Sequence, residues 1–304
     1  MNASKYSALK FLSKLALSLT LLFFIFHYAG FESIYIELMR VKISYLLLSA
    51  PLLIFSMIFM AIRWKNIITI FKKKASAANL MKYTLISFAF GLVTPARLGE
   101  FIKVKYLSDD TGLSYANSLI TILADKIFDV FASFPIMLIG FLFLKKDLLS
   151  EYSAFALGIC ILIFTLSLIY FSKFLKSIKK LLPKKYWKKA EMISFTKPVY
   201  IKLLCYSFLI WALYIAQAFF ITKALSINAS FYMLAAAVPA MAFSSLIPIS
   251  IGGFGAREAI AIYLFSIAGI PPEKSAAFSI LYTFIGLGIP AIIGGFLYAK
   301  KKLS

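Results

Sequence analysis

Residues 91–100 read G-L-V-T-P-A-R-L-G-E and close an apolar run too short and too interrupted to cross a bilayer. They place Arg97 and Glu100 where lipid alone would exclude charge. Residues 248–258 read P-I-S-I-G-G-F-G-A-R-E and repeat the pattern, with a run broken by Pro and Gly and closed by Arg257 and Glu258. Pro95, Gly99, Pro248, Gly252, Gly253 and Gly255 are accounted for by backbone shape, because proline breaks helices and glycine lets backbones approach closely.

Around these stretches the chain is 62% hydrophobic with a mean hydropathy of +0.90, more apolar surface than an aqueous fold of 304 residues could bury. The expectation is an all-α polytopic membrane protein, one integral membrane domain over residues 1–304. The only cysteines, Cys160 and Cys205, lie in apolar runs, and His27 is the single histidine. They offer neither a disulfide frame nor a His/Cys metal cluster, so no metal or cofactor is expected. A net charge of +21 would suit nucleic acid, but the Lys residues fall in short loops where orientation and anionic lipid explain them, and no nucleic-acid partner is expected. The basic residues are 29 Lys and only four Arg: Arg40, Arg63, Arg97 and Arg257. Arg is preferred where a phosphate or carboxylate must be gripped in two places.

Long apolar runs at 11–29, 43–62, 118–144, 153–171 and 201–222, with a last one before Lys300, predict about six full spans. No small-x-small cleavage site comes after the first run, so it reads as an uncleaved span. Nine Lys between Lys173 and Lys197 mark a cytoplasmic loop, and Lys300, Lys301 and Lys302 place the C-terminus on the same side. Counting back puts the N-terminus in the cytoplasm and the loop at 145–152 outside. Residues 83–107 then enter from the cytoplasm and return to it, whereas 231–268 enter from outside and return there. Each segment either dips as a hairpin or crosses twice; 83–107 is too short to cross twice, which favours a re-entrant hairpin. Trp64, beside Arg63, reads as an interfacial anchor.

The segments C-terminal to the two motifs also correspond: T-G-L-S-Y-A-N-S at 111–118 against A-G-I-P-P-E-K-S at 268–275, then L-A-D-K-I-F at 123–128 against I-L-Y-T-F-I at 280–285. The expected arrangement is an inverted-topology repeat with halves at 43–172 and 201–299, joined by a Lys-rich cytoplasmic loop at 173–200. Broken hydrophobic segments in two oppositely oriented halves form the pattern of transporters that bind substrate where the repeats meet.

The candidate site residues are Arg97, Glu100, Asp125, Lys126, Asp129, Arg257 and Glu258. Arg97 and Glu100 are three apart and share a helical face, while Arg257 and Glu258 are adjacent and diverge. Each Arg either neutralises its neighbouring acid and fixes the hairpin, or holds an anionic headgroup. Asp125 and Asp129 lie one turn apart on a span, so Asp129 either pairs with a basic residue or exchanges a proton.

These motifs resemble the lysylphosphatidylglycerol synthase transmembrane-region family, also called flippase-like membrane proteins. The carrying residues are R-W-K-N-I at 63–67, T-P-A-R-L-G-E at 94–100, T-G-L-S at 111–114, L-A-D-K-I-F-D at 123–129, G-G-F-G-A-R-E at 252–258 and G-I-P-P-E from Gly269. The resemblance implies a prokaryotic cytoplasmic-membrane protein that moves lipids between leaflets. Large members carry a soluble aminoacyl-transferase domain; this chain ends at Ser304 without one, so synthase activity is not implied. The family pattern has a basic residue after the Tyr matching Tyr282, where this chain has Thr283.

Three function classes compete. The first is a lipid flippase or transporter whose partners are membrane lipids with an anionic or phosphate-linked headgroup. It is not an enzyme, and Arg97 acts on the cytoplasmic side and Arg257 on the external side. The second is a non-transporting membrane subunit that recruits a lipid-modifying or glycosyl-transferring enzyme through the basic loop. An intramembrane enzyme ranks lowest, for want of a nucleophile paired with a base. Either a homo-oligomer or a partner enzyme is compatible with the chain.

Overall fold

In lipid the backbone must satisfy its own polar groups, and apolar runs of about twenty residues do so as helices. A computed structural model describes residues 3–144, 196–245 and 252–303, and these are helical with no strand. Helix α1 (Ala3–Ala29) breaks at Gly30 into α2 (Phe31–Met39), the two bent by 79°. Next come α3 (Ile43–Thr69), α4 (Ala77–Leu92), a 3-10 turn (Leu98–Ile102), α5 (Lys103–Thr111) and α6 (Tyr115–Leu144). After the undescribed segment come α7 (Lys197–Ala224), α8 (Phe231–Ser244), α9 (Ala256–Ser266) and α10 (Pro272–Thr283), which a π turn (Phe284–Gly288) joins to α11 (Ile289–Leu303).

Four of these are long and apolar enough to cross a membrane: α3, α6, α7 and the α10–α11 run at Pro272–Lys300. The bent α1–α2 pair makes a fifth if it counts as one span. The expected spans at 43–62, 118–144 and 201–222 therefore sit in helices that extend past those limits. Helix α3 runs on to Thr69 because Arg63, Trp64 and Asn66 find polar partners inside the fold instead of marking a loop. The expected span at 153–171, the loop at 145–152 and most of the Lys-rich loop at 173–200 lie outside the described residues.

Two large apolar cores, with a smaller cluster of Met57, Leu85, Phe88 and Ala291 between α3, α4 and α11, hold the described helices. One gathers Trp64, Ile67, Phe128 and Leu203 from α3, α6 and α7. The other gathers Met233, Phe265 and Phe278 from α8, α9 and α10, with Ile25 and Ile34 of α1 and α2 packed against them. Helices α3 and α7 pack along each other, α4 lies against α11, and α6 lies against α8. The last two crossings are close enough to require glycine: a Cβ on Gly294 would overlap the Leu85 carbonyl, and one on Gly140 would overlap the backbone of Ala235 and Ala236. Small residues allow such approach where apolar lipid gives helices no hydrophobic reason to associate. Outward-facing Phe23, Tyr28, Leu47, Tyr263 and Phe296 are exposed, giving the bundle an apolar exterior.

Candidate functional site

The first motif is a tight turn locked from within. After α4, Ala96 and Arg97 both adopt left-handed backbone, which costs L-residues energy and needs support from neighbours. Thr94 provides it: its hydroxyl donates to the Phe90 carbonyl at 2.9 Å and accepts the Gly99 N–H at 2.7 Å. Gly99 then packs on the Phe90 carbonyl so closely that a Cβ would overlap it. This folds the 3-10 turn back onto α4 and carries Glu100 to a buried position between two cations. Lys126 of α6 donates to Glu100 Oε2 at 2.5 Å, and Arg97 pairs with Oε1. Burial alone would raise the Glu100 pKa, but Arg97, Lys126 and Lys103 outweigh it and hold the carboxyl well below the usual range. The Arg97–Glu100 pairing expected at three-residue spacing is present, made by the left-handed turn and not by a helix face.

The second motif is built from glycine. Gly252, Gly253 and Gly255 have φ of 60°, 83° and 85°, in the left-handed region glycine favours. Gly252 lies on the Leu92 carbonyl, so this motif packs directly against the end of α4 beside the first motif. Stretches separated by more than 150 residues thus meet. Glu258 turns back to accept the Gly255 N–H at 2.7 Å and the Ser279 hydroxyl at 3.2 Å, fixing the start of α9. Arg257 donates from Nη2 to the Gly252 carbonyl, and its Nη1 has no hydrogen-bond partner among the described residues. Burial, then the charge of Arg97, lowers the Arg257 pKa to about 10, which leaves it cationic at neutral pH. Pro248 lies outside the described residues.

Behind the first motif, Arg63 is fully buried and binds both α6 carboxylates, Asp125 through Nε at 2.8 Å and Asp129 through Nη1 at 2.6 Å. Ser207 of α7 accepts a further bond from Nη1 at 2.7 Å. Asp125 and Asp129 share a face as their spacing requires, and the cation between them, Arg63, is not among the candidate site residues named from the sequence. Two signals pointed to it: Arg is rare in this chain, and paired carboxylates on a span need a counter-charge. Trp64 is not an interfacial anchor. It is buried, donates to the Thr121 hydroxyl at 3.1 Å, and carries the Lys103 ammonium 4.9 Å from its ring centroid.

A cavity of about 450 Å³ opens between the motifs, a volume suited to a small ligand. Its wall includes Arg97, Glu100, Lys126, Asp129 and Arg257, with Tyr214 and Gln217 of α7 and Tyr282 and Thr283 of α10. Arg97 and Arg257 both face this one cavity. Glu258 and Asp125 are not on its wall: Glu258 lines a second cavity of about 550 Å³ whose wall is otherwise almost wholly apolar. Thr283 borders both cavities. The π turn forms the partition, with Gly286 and Leu287 on the charged side and Phe284 and Gly288 on the apolar side. Gln217 and Tyr214 are wall residues absent from the sequence-based candidates; they lie in an apolar run without a motif, and only the fold turns them inward. Thr283 stands where the family pattern has a basic residue.

Bilayer-length apolar helices, an apolar exterior and ion pairs sealed inside define a multi-pass integral membrane protein. A family model described as "Lysylphosphatidylglycerol synthase TM region" matches residues 11–294, and the chain belongs to that family. It is similar to the UPF0104 membrane protein PH1989 of Pyrococcus horikoshii, 24% identical over 94% of this chain and 96% of the relative. It is also similar to the UPF0104 membrane protein MJ1595 of Methanocaldococcus jannaschii, 25% identical over 95% of each.

Proposed function

We propose that this protein is a lipid flippase or transporter of the cytoplasmic membrane, moving a lipid with a polar or anionic headgroup between leaflets. The observation that carries the reading is the pair of adjoining cavities. One carries two arginines, a lysine and two carboxylates on a wall that is otherwise mostly apolar, the other is apolar apart from Glu258 and Thr283, and they meet at Thr283. An amphiphile needs both environments side by side; a soluble metabolite needs only the first and an apolar ligand only the second.

The helix packing supports an inverted repeat with the site between its halves. Helix α4 crosses α11 at Gly294, and α8 crosses α6 at Gly140, so each half lends its hairpin to the other's long span. Helices α3 and α7, the first of each half, pack on each other. Gly112 and Gly269, matched in the sequence comparison, both take left-handed backbone after a short helix. In this reading the two hairpins are re-entrant, both termini are cytoplasmic, and the acids of the cavity position the arginines. Exchanging Arg97 and Arg257 together for Ala should abolish movement of a labelled lipid in reconstituted vesicles. Unchanged movement with both replaced would refute the assignment.

A further inference from the structure

The two halves do not contribute equally to the cavity, and the inequality bears on which lipid it takes. Three cations line the wall, Arg97, Lys126 and Arg257, against two carboxylates, Glu100 and Asp129. Arg97 and Lys126 share Glu100, and Asp129 is held from behind by Arg63. Arg257 has no carboxylate within ion-pair distance among the described residues. Its neighbour Glu258 is engaged by the Gly255 N–H and the Ser279 hydroxyl.

Four buried polar atoms of residues on this wall make no hydrogen bond among the described residues; Glu100 Oε1 is ion-paired with Arg97, which leaves Arg257 Nη1, Gln217 Nε2 and Thr283 Oγ1 without a partner. Their residues are exposed by only 3%, 1% and 6%, so water from outside does not satisfy these groups. A buried donor without an acceptor is costly, and native folds retain one where a ligand supplies the missing bond. All three residues border the same cavity, so a ligand there can meet a guanidinium N–H, an amide N–H and a hydroxyl.

We infer that this cavity binds a single phosphodiester held by Arg257, Gln217 and Thr283, and therefore selects lipids with one net negative headgroup charge over cationic aminoacylated headgroups. The inference rests on the lipid-transport reading and goes past it. One phosphodiester brings one negative charge and non-ester oxygens that accept all three donors. A lysylated headgroup would add ammonium groups beside an already unpaired guanidinium, while the two wall carboxylates, Glu100 and Asp129, are already engaged by Arg97, Lys126 and Arg63. A diphosphate would bring more negative charge than one unpaired cation offsets.

The test is native mass spectrometry of the full chain in detergent, titrated separately with phosphatidylglycerol, lysyl-phosphatidylglycerol, a polyprenyl diphosphate and water-soluble glycerophosphoglycerol. Phosphatidylglycerol should bind about tenfold or more tightly than the lysylated lipid, the scale of one charge-assisted hydrogen bond. Arg257→Gln should erase that preference. Thr283→Lys, which adds a second cation, should move it toward the diphosphate, a gain that a misfolded variant cannot mimic. Weak binding of glycerophosphoglycerol is expected, because the apolar cavity is then unused; binding as tight as the lipid's would make the ligand a free phosphodiester and overturn the lipid assignment. Equal or tighter binding of the lysylated lipid, or a preference that survives Arg257→Gln, would overturn the inference. Binding selectivity without lipid movement in vesicles would instead leave the inference standing and remove the transport reading.

Discussion

The two hairpin motifs share a sequence pattern and differ in how completely their charges are satisfied. In the first, Glu100 receives both Arg97 and Lys126, and Thr94 fastens the turn that brings them together. In the second, Glu258 closes the start of its own helix, and Arg257 reaches one backbone carbonyl and then the cavity. The position after Asp125, and after Tyr282 in the matched stretch, explains part of the contrast. Lys126 completes the first site, while Thr283, its counterpart in the sequence alignment, brings no charge to the second. In the proposed inverted repeat, two halves with matching motifs would thus differ in electrostatics, one motif clamped by its own ion pairs and the other with an arginine open to the cavity.

The largest expected effect tests the foundation both motifs share. Arg63→Met removes the cation between Asp125 and Asp129 and leaves uncompensated buried carboxylates, a loss of about 3–5 kcal/mol. Thermal unfolding in detergent should register it as a large drop in midpoint, and an unchanged midpoint would mean that the cluster does not support α6. Next comes the comparison itself. Arg257→Ala should slow lipid movement about a hundredfold with a modest stability change, whereas Arg97→Ala should cost stability first, since it leaves Glu100 with Lys126 alone. The reverse ranking would exchange the roles of the two motifs. Smaller again, Gly99→Ala and Gly252→Ala should each destabilise by about 1–3 kcal/mol, because each Cβ would meet a backbone carbonyl that cannot yield. Denaturant titration reads both variants.

The smallest effect is a pH dependence confined to the first motif. The Glu100 pKa lies below its ordinary value of 4.5, so its ion pairs contribute fully above that pH and are lost only as pH falls through the lowered value near 2. The stability gap between wild type and Glu100→Gln should therefore hold from neutral pH to about 5 and close in stronger acid. A gap that closes near neutral pH would contradict the clamp.

Much of this was legible in the chain. Spans, motif positions and the Asp125–Asp129 face come from hydropathy and from helical period, which act locally. The Arg97–Glu100 pair was read from spacing, although a left-handed turn makes it, because two residues three apart also meet across a tight bend. Arg63 and Trp64 escape the sequence-based site because they sit where the apolar run at 43–62 gives way to Lys65, although α3 continues to Thr69. The contact that brings both arginines to one cavity, Gly252 against the end of α4, joins stretches far apart in the chain and has no local signal. Gln217 has none either, an ordinary residue in an apolar helix that gains significance only from the surface it faces, whereas Thr283 stands out in the sequence where the family pattern has a basic residue.

The central claim is that Arg257, and not the clamped Arg97, holds the headgroup. It is tested most directly by the rate at which fluorescent phosphatidylglycerol crosses the bilayer of vesicles containing wild type, Arg257→Ala or Arg257→Lys. The account predicts rapid crossing with wild type, near-background crossing with Arg257→Ala, and partial recovery with Arg257→Lys, which restores charge without the two-pronged grip. Crossing by folded Arg257→Ala protein at the wild-type rate would contradict it.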